Sequence, residues 1–360
     1  MDQAPLKLYV NKAFVASDMS YAALLYPFWG MGTNKDYILY VDSSLGKHGF
    51  DPSYFKLVDS PEEAEYILVP HEFWRLKRSR PDLLELMVQE AQMHHKPLLV
   101  DASGDVSGVV SIPYANVKVL RMNQYRFDAP SYEVKVPVPC EDLLESYCNN
   151  KLQLRQKSPV ATIGFVGWGN LSLKQRIRSF VKEIPIRVRA LGNKQYAAKI
   201  KGVFWRERVN RIFKNSNRIK TNFIIRSSYS GNTFDLQGNK EKNRREFIDN
   251  ILNTDYTLVI RGDANEATRF YEVLSLGRIP VLIDTAVVLP LEQLINYHEF
   301  CVIVDHTDVK RAPEILADFH AKLSPEKFTE MQQKARDAFE QYLRYDSFSP
   351  YLVRLLRTNV

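Results

Sequence analysis

Residues 257–283 read TLVIRGDANEATRFYEVLSLGRIPVLI, and this stretch decides how the rest of the chain is interpreted. Its first four residues are apolar or β-branched, which is typical of a buried parallel strand. Asp263 and Glu266 have the spacing of a capping box and predict that a helix begins there. Gly277 stands where helices commonly end, and residues 279–283 predict a second strand. The stretch is therefore predicted to be one strand–helix–strand unit.

The helix inside this unit is predicted to have one apolar and one polar face. At about 100° per residue, the polar face collects Asn265, Thr268, Arg269 and Glu272. A helix that begins at the end of a parallel strand presents free N–H groups and a positive dipole end, both of which suit phosphate. Glu272, one turn further in, is placed to accept hydrogen bonds from a ribose. An ordinary βαβ unit with a solvated polar face is the alternative.

The composition is that of a globular protein with room for two domains. The chain has 360 residues, of which 45% are hydrophobic and 25% charged. It contains no apolar run long enough to span a bilayer, and residues 1–7 lack the features of a secretory signal. Three cysteines, Cys140, Cys148 and Cys301, are not at metal-binding spacing. We therefore expect free thiols and a cytoplasmic protein, at most peripheral to a membrane.

Positive charge is concentrated in the middle of the chain. Residues 151–245 contain 23 lysines and arginines but only 4 acidic residues, whereas the whole chain has a net charge of +7. This asymmetry predicts an anionic partner for the middle region. The candidates are a nucleotide diphosphate, an acidic glycan, an anionic membrane surface and nucleic acid. The alternative is a solvated basic surface that only aids solubility.

Strands alternate with helical segments in two series, which predicts two α/β units with parallel sheets. The expected domains are residues 1–157, residues 158–335 and a C-terminal helical segment, residues 336–360. A polar helix is predicted over residues 141–156. A long helix is predicted over residues 324–345, followed by an interruption at Ser349 and Pro350 and a last short helix.

Several motifs of the chain resemble those of exostosin-family glycosyltransferases (glycosyltransferase family 47). The strongest are Arg261-Gly262, ATRFYEVL over residues 267–274 and GRIPV over residues 277–281. Weaker similarities are EEAEYILVP at 62–70, KVPVP at 135–139 and FVG at 165–167 followed by Arg176. Three positions depart from the family pattern: Ile260 replaces Pro, Thr268 replaces Ser and Val273 replaces Ala. A hydroxyl is kept at Thr268, so a hydrogen bond there is preserved.

The resemblance implies a GT-B type α/β fold, with two Rossmann-like domains that face each other across a cleft. It also implies an inverting glycosyltransferase that moves a hexosyl or pentosyl group from a nucleotide-diphosphate sugar, foremost a UDP-sugar, to a hydroxyl of a glycan or glycoconjugate. Such a compact, soluble form would serve polysaccharide biosynthesis. No cofactor and no bound metal are expected, since cationic side chains and a helix N-terminus would neutralise the leaving diphosphate.

The resemblance also implies roles for particular residues. Glu272 is assigned to the donor ribose. The positions expected at or near the diphosphate are Arg226, Arg261, Gly262, Thr268 and Arg269. Gly167 and Arg176 are weaker candidates, and a salt bridge of Arg269 to Glu266 or Glu272 on its own helix is the structural alternative.

Inverting transfer needs a general base that deprotonates the acceptor hydroxyl. In the GT-B architecture this group comes from the N-terminal domain. Five residues there follow predicted strands: Asp18, His71, Glu72, Asp101 and Asp105. Asp101 and His71 are preferred.

Two other functions are compatible with the sequence. One is a non-catalytic protein that binds nucleic acid or an anionic glycan through the basic region 151–245, although nucleic acid is not the expected partner. The other is a GT-B fucosyltransferase that uses a GDP-sugar.

Overall fold

The chain folds around two separate parallel β-sheets. The structure, a computed structural model, describes residues 4–30, 45–106, 108–226 and 240–358. The strands of the first sheet are β1 (Leu6–Tyr9), β2 (Phe55–Val58), β3 (Tyr66–Leu68), β4 (Leu98–Asp101), β5 (Val117–Arg121) and β6 (Glu133–Lys135). Those of the second are β7 (Thr162–Trp168), β8 (Lys220–Arg226), β9 (Tyr256–Val259), β10 (Ile279–Asp284) and β11 (Val302–Asp305).

Helices cover both sheets, as parallel sheets require. In chain order they are α1 (Tyr26–Trp29), α2 (Phe73–Ser79), α3 (Pro81–Met93), α4 (Leu143–Tyr147), α5 (Leu173–Gly192), α6 (Gly202–Lys214), α7 (Lys240–Leu252), α8 (Thr268–Ser275), α9 (Ala312–Lys322), α10 (Pro325–Ala338) and α11 (Tyr345–Thr358). The predicted fold class, α/β with two sheets and a helical C-terminal segment, is confirmed.

In each sheet, successive strands are added first on one side and then on the other, which creates a reversal point in the strand order. The first sheet has the order β2-β1-β3-β4-β5-β6, and the second has β11-β10-β9-β7-β8. All pairings between named strands are parallel, so the carboxyl ends of each sheet's strands lie at one edge. Ligands of open α/β sheets bind outside this edge at the reversal point. In the second sheet that point lies between β7 and β9.

The strand–helix–strand unit predicted from residues 257–283 is present as β9, α8 and β10. Both strands are buried along almost their whole length, and six of the eight residues of α8 are buried. The predicted helix start is wrong, however. Helix α8 begins at Thr268, because Glu266 is drawn into a buried ion pair with Lys135 of β6 and Asp263 remains exposed. The segment between β9 and α8 is therefore a longer loop than expected.

Two other helix predictions need correction. Only residues 143–147 of the predicted helix 141–156 are helical, since Asn149 and Asn150 adopt positive φ angles of 51° and 56°. Ser349 and Pro350 do not interrupt the last helix, which runs through them as α11. The break comes earlier, at Arg344, where the backbone has an extended ψ of 150° after a π-helical turn.

The C-terminal helix α11 packs on the first sheet. The hydroxyl of Tyr66 donates to the carbonyl of Leu356 at 2.7 Å, and Arg357 pairs with Glu65 at 2.8 Å. The predicted domain boundaries at residues 157 and 335 stay a prediction.

The segment that follows β5 ties the first sheet to the second. Tyr125 forms an antiparallel bridge with Val287, and the amide N–H of Arg126 donates to the carbonyl of Ala286 at 2.7 Å. Nearby, Asn265 Nδ2 donates to the carbonyl of Gln124 at 2.9 Å. These bonds hold the loop between β9 and α8 against the N-terminal half of the chain.

Candidate functional site

Arg269 lies at the reversal point of the second sheet. Its Nη2 donates to the carbonyl of Val166 in β7, and its guanidinium stacks over the ring of Phe165 at 4.4 Å. A Cβ at Gly167 would come within 2.8 Å of Nη2, so this position requires glycine for the side chain to lie there. The first turn of α8 thus carries a cation directly to the carboxyl end of β7.

The guanidinium of Arg269 has hydrogen-bond donors that are not used within the described part of the protein. Its Nε and Nη1 are shielded from solvent and have no hydrogen-bond partner among the described residues. Burial and the nearby charge of Arg206 lower its pKa to about 9, and Arg226 acts in the same direction while Glu272 opposes it. A guanidinium rarely loses its proton in a protein. Arg269 is therefore a charged group without a sufficient counter-ion, as expected of a residue that binds an anion.

The N-terminus of α8 adds to this positive potential. The N-cap residue of this helix is Ala267, and no side chain in the described part of the chain caps it. Thr268, the first helical residue, is exposed, so its hydroxyl is open to solvent. An uncapped helix N-terminus offers backbone N–H groups and a partial positive charge to an anion. Together with Arg269, it forms a site whose charge and donors match a phosphate group.

Two further arginines complete this group. Arg226 ends β8 next to Trp168 of β7, and its Nη2 pairs with Glu246 at 2.6 Å. Arg206 of α6 lies beside Gly262, where an added Cβ would stand 3.6 Å from its Nη2. Arg206, Arg226 and Arg269 are called the arginine group below. Sequence reasoning missed Arg206, because nothing in its local pattern separates it from Arg208 in the same basic helix.

Glu272, the predicted ribose ligand, is held by a second arginine that the sequence did not reveal. Arg244 of α7 donates from Nη1 to Glu272 at 2.6 Å and from Nη2 to Glu141 at 3.0 Å. Burial alone would lower the pKa of Arg244, but the two carboxylates raise it. The pair fixes one oxygen of Glu272, one helical turn from Thr268 on the same face of α8. Its role with a ribose stays a prediction.

Arg261, predicted near the diphosphate, is fully used inside the protein. It is buried, and its guanidinium donates to the hydroxyl of Tyr125, to the carbonyl of Ala198 at 2.7 Å and to that of Asp263 at 2.5 Å. An added Cβ at Gly202 would meet the carbonyl of Gly262 at 2.0 Å. The Arg261-Gly262 part of the motif therefore anchors the loop before α8, and its predicted contact with donor stays a prediction.

The two preferred base candidates of the N-terminal half have main-chain partners. His71 is buried, its Nε2 accepts from the N–H of Ala16 at 2.8 Å and its Nδ1 donates to the carbonyl of Ser20 at 3.0 Å. Asp101 accepts from the N–H of Ala23 at 3.0 Å and from Ser103. Burial lowers the pKa of His71. Both side chains hold the loops that follow β1 and β4, and their catalytic role stays a prediction.

Asp105, another of the five candidates, faces the second sheet. It follows β4 and remains exposed, yet the surrounding protein and the Asp263 carboxylate of the C-terminal half raise its pKa. Glu72 caps α2 through the N–H groups of Trp74 and Arg75, and burial raises its pKa, as does Asp101. The carboxyl edges of the two sheets therefore face each other, with Asp105 and Asp263 on opposite sides.

Other polar groups have structural explanations. Arg176, a weaker donor candidate, pairs with Glu207 at 2.5 Å. His48, Asp142 and Glu145 bring possible metal-ligand atoms within 4.8 Å of one another. They are engaged in ion pairs instead: His48 with Glu145 at 2.7 Å, and Asp142 with Arg336 at 2.7 Å. All three cysteines are free, as expected.

A cavity near this edge lies two strands away from β7 in the second sheet. It has a volume of about 460 Å³ at the end of β10 and is lined in part by Arg126, Asp284 and Glu292. None of the six predicted donor residues lines this cavity.

Two parallel α/β sheets with facing carboxyl edges give the chain the GT-B architecture, with the arginine group at the reversal point of the second sheet. Residues 193–319 match the Exostosin GT47 domain. The resemblance to exostosin-family glycosyltransferases recognised in the sequence is therefore confirmed for this segment. The match includes all six predicted donor residues and both arginines that sequence reasoning missed.

Two curated relatives support the same family. The chain is 29% identical over 119 residues to Exostosin-1 homolog of Caenorhabditis elegans, which is 33% of this chain and 30% of the relative. It is 26% identical over 183 residues to Exostosin-1 of Drosophila melanogaster, which is 45% of this chain and 24% of the relative. The chain thus spans less than a third of the length of either relative.

Solved structures match over nearly the whole chain at low similarity. A glycosyltransferase from Rickettsia africae aligns over 99% of both chains with 11% identity and a TM-score of 0.36. Anabaena HepE in complex with UDP-glucose aligns over 98% of this chain and 99% of its own, with 9% identity and a TM-score of 0.36. Scores this low carry no argument about function.

The described part of the chain contains no helix both long and apolar enough to cross a membrane. The basic region 151–245 is distributed over β8 and helices α5, α6 and α7, and residues 227–239 of it lie outside the described residues. Many of its cations are paired with carboxylates, among them Arg176, Arg211, Arg218 and Arg245. The cations of this region therefore lie on several surfaces, and two of them, Arg206 and Arg226, belong to the arginine group.

Proposed function

We propose that this protein is an inverting glycosyltransferase that transfers a sugar from a nucleotide-diphosphate sugar to a hydroxyl of a glycan or glycoconjugate. One observation carries the proposal. Inside a segment that matches the Exostosin GT47 domain, Arg269 brings unpaired donors to an uncapped helix N-terminus at the reversal point of a parallel sheet. This is the place and the chemistry expected for a diphosphate.

The donor would lie along the polar face of α8. Its diphosphate would contact the N–H groups of the first turn, the Thr268 hydroxyl and Arg269, with Arg206 and Arg226 compensating the remaining charge. Glu272, one turn further, would accept hydrogen bonds from the ribose while Arg244 holds its carboxylate in place. The resemblance to exostosins supports a UDP-sugar as the donor.

The same groups would lower the barrier of the reaction. As the glycosidic C–O bond to the phosphate breaks, negative charge develops on the leaving diphosphate. Fixed cations and a helix N-terminus stabilise that charge without rearrangement, and such preorganised electrostatics usually make the largest contribution to catalysis. We propose that no bound metal is needed, because the arginine group supplies the positive charge.

Among the five base candidates, Asp105 has the best position. Its carboxylate faces Asp263 of the donor-side loop, and its pKa is raised, which makes it a stronger base than an ordinary aspartate. It would take the proton from the acceptor hydroxyl as that oxygen attacks the anomeric carbon from the face opposite the diphosphate. Asp101 and His71 would then position the surrounding loops, although they remain candidates themselves.

Donor hydrolysis and transfer, followed with a panel of UDP- and GDP-sugars, test the proposal. Hydrolysis or binding of one donor class supports it, and nuclear magnetic resonance of the product distinguishes inversion from retention at the anomeric carbon. If no nucleotide sugar is bound or hydrolysed while nucleic acid or an acidic glycan binds tightly at physiological salt, the non-catalytic alternative is correct. A GDP-sugar as the sole donor would favour the fucosyltransferase alternative.

The ribose assignment has its own test. Glu272→Ala should raise the dissociation constant for UDP but not that for inorganic pyrophosphate, which lacks a ribose. Equal weakening of both ligands would contradict the assignment. The sugar as a hexose or pentose, a role in polysaccharide biosynthesis and a cytoplasmic location belong to the proposal, the last supported by the three free thiols.

A further inference from the structure

Helix α5 has its faces reversed relative to an ordinary surface helix. Half of the large hydrophobic side chains that are exposed in the described part of the chain lie on it: Leu173, Ile177, Phe180, Val181, Ile184, Val188 and Leu191. Leu191 is 88% exposed and Leu173 is 73% exposed. Contiguous apolar patches of this kind commonly mark interaction sites in soluble proteins.

These seven side chains form a continuous stripe. At about 100° per residue they fall within an arc of roughly 100°, the width typical of an apolar helix face. The helix has 20 residues, so the stripe extends along a helix about 30 Å long. In most globular proteins such a face would be turned toward the core.

The polar face of α5 is turned toward the protein instead. Arg176 pairs with Glu207 of α6 at 2.5 Å, and the buried Glu183 accepts from the N–H of Lys201 at 2.5 Å. Arg187 pairs with Glu183 at 2.9 Å and stacks over Phe204 at 5.0 Å. These contacts fix the orientation of the helix about its own axis. The apolar stripe on the opposite face is therefore exposed to solvent.

A row of positive charges runs beside the apolar stripe. Lys174, Arg178, Lys182 and Arg189 occupy the next arc of the helix and are exposed, and none forms an ion pair with a described residue. Glu183 is the single acidic residue in the helix, and it faces inward. An apolar stripe flanked by lysine and arginine is the pattern of helices that lie in a membrane interface.

We propose that α5 docks this protein onto an anionic phospholipid bilayer, with the apolar stripe inserted among the acyl chains and the four flanking cations at the headgroups. This inference goes beyond the proposed transferase function and does not depend on it. Charge complementarity favours a lipid surface over a second copy of the chain. Two α5 helices packed stripe to stripe would bring their rows of positive charge together.

Docking through α5 has a geometric consequence for the candidate site. The helix begins at Leu173, only a short loop after β7 ends at Trp168, next to the arginine group. A protein held by α5 would therefore keep the edge of its cleft close to the bilayer. An acceptor carried on a membrane lipid could then reach the site without leaving the surface.

Vesicle co-sedimentation of the full chain tests the proposal. We expect binding to vesicles of phosphatidylcholine with phosphatidylglycerol, and much weaker binding to phosphatidylcholine alone or at high salt. Val181→Ser/Val188→Ser/Leu191→Ser removes apolar area without changing charge and should weaken binding by about tenfold or more. The matched control is Leu86→Ser/Met93→Ser/Val160→Ser, which alters exposed apolar side chains elsewhere and should bind as the unaltered chain does.

A second variant separates the electrostatic contribution. Lys174→Gln/Arg178→Gln/Lys182→Gln/Arg189→Gln should also lower binding to anionic vesicles by about tenfold or more. All these positions are exposed, so the variants should unfold at the same temperature as the unaltered chain. A lower unfolding temperature would reveal a folding defect. Failure of the unaltered chain to bind anionic vesicles would overturn the proposal. So would equal binding by the serine variant and its control, or a dimer in solution that the serine variant converts to a monomer without any vesicle binding.

Discussion

The two facing edges of the cleft differ in how their charged side chains are used. On the C-terminal side, Arg269 has two nitrogens that are shielded from solvent and have no hydrogen-bond partner among the described residues, and it lies near other arginines. On the N-terminal side, His71 and Asp101 satisfy their polar atoms with the main chain of neighbouring loops. The first edge carries a charge that the described residues do not fully compensate, whereas the preferred base candidates on the second edge already have hydrogen-bond partners.

This difference distinguishes side chains that are available to bind a ligand from side chains that stabilise the fold. A buried cation without a counter-ion is costly to keep and is rarely retained unless a ligand compensates it. A buried histidine with both nitrogens bonded needs no ligand. On the N-terminal edge, Asp105 combines a raised pKa with a position opposite the donor side. Four substitutions test this difference between the two edges.

The largest effect is expected for Asp105→Asn. If Asp105 is the general base, kcat should fall by about 10²–10⁴-fold, because asparagine cannot accept the acceptor's proton. The dissociation constant for UDP should be unchanged, since the residue does not touch the donor's nucleotide. Steady-state transfer assays and calorimetric titration measure the two quantities. A kcat close to that of the unaltered enzyme would return the role to Asp101, His71 or Glu72.

The next effect is expected for Arg269→Gln. A hydrogen bond to a charged group contributes about 1.5–3 kcal/mol, so the dissociation constant for UDP should rise roughly 10- to 100-fold. The protein itself should not lose stability, because the substitution removes a shielded and uncompensated charge. Arg218→Gln is the matched control, since Arg218 pairs with Asp318 on an exposed surface. Equal UDP affinity in both variants would mean that Arg269 is structural.

A moderate effect on stability, and little on binding, is expected for His71→Ala. The substitution leaves the N–H of Ala16 and the carbonyl of Ser20 without a partner, and each buried orphan costs about 1–3 kcal/mol of unfolding free energy. Urea unfolding should show this loss while UDP affinity stays the same. His298→Ala, at an exposed position, serves as the control. Unchanged stability together with lost transfer would instead make His71 a catalytic group.

The smallest effect is expected for Asp263→Asn. The surrounding protein raises the pKa of Asp105, and the Asp263 carboxylate raises it further. The base is active when deprotonated, so kcat/KM rises as the pH increases through this pKa. Removing the charge of Asp263 should move that acidic limb to lower pH by less than about one unit. The same shift in Asp308→Asn, an exposed control, would show that Asp263 does not act on Asp105 directly.

Much of the C-terminal edge could be predicted from the sequence because its signals are local. The apolar run of β9, the polar face of α8 and Gly277 lie within one short stretch, so strand, helix and helix end follow from spacing. The start of α8 was misplaced because Glu266 pairs with Lys135, a residue far away in the chain. No local pattern reveals such a contact.

The N-terminal edge could be predicted only as a set of candidates. Which of Asp101, His71 and Asp105 is free depends on where the N–H groups of Ala16 and Ala23 lie, and those positions follow from tertiary packing. Arg206 and Arg244 were missed for the same reason, since each lies in a helix with several other lysines and arginines and no local pattern distinguishes it. The reversed faces of α5 could not be recognised without knowing which side meets the protein.

Equilibrium titration of the unaltered protein with UDP and UMP, in the presence of a metal chelator, tests the central claim most directly. Because the helix N-terminus and Arg269 together would hold both phosphates, UDP should bind, and UMP should bind at least about tenfold more weakly. Equal affinity for UDP and UMP, or no binding of UDP without metal, would contradict a metal-independent diphosphate site at the start of α8.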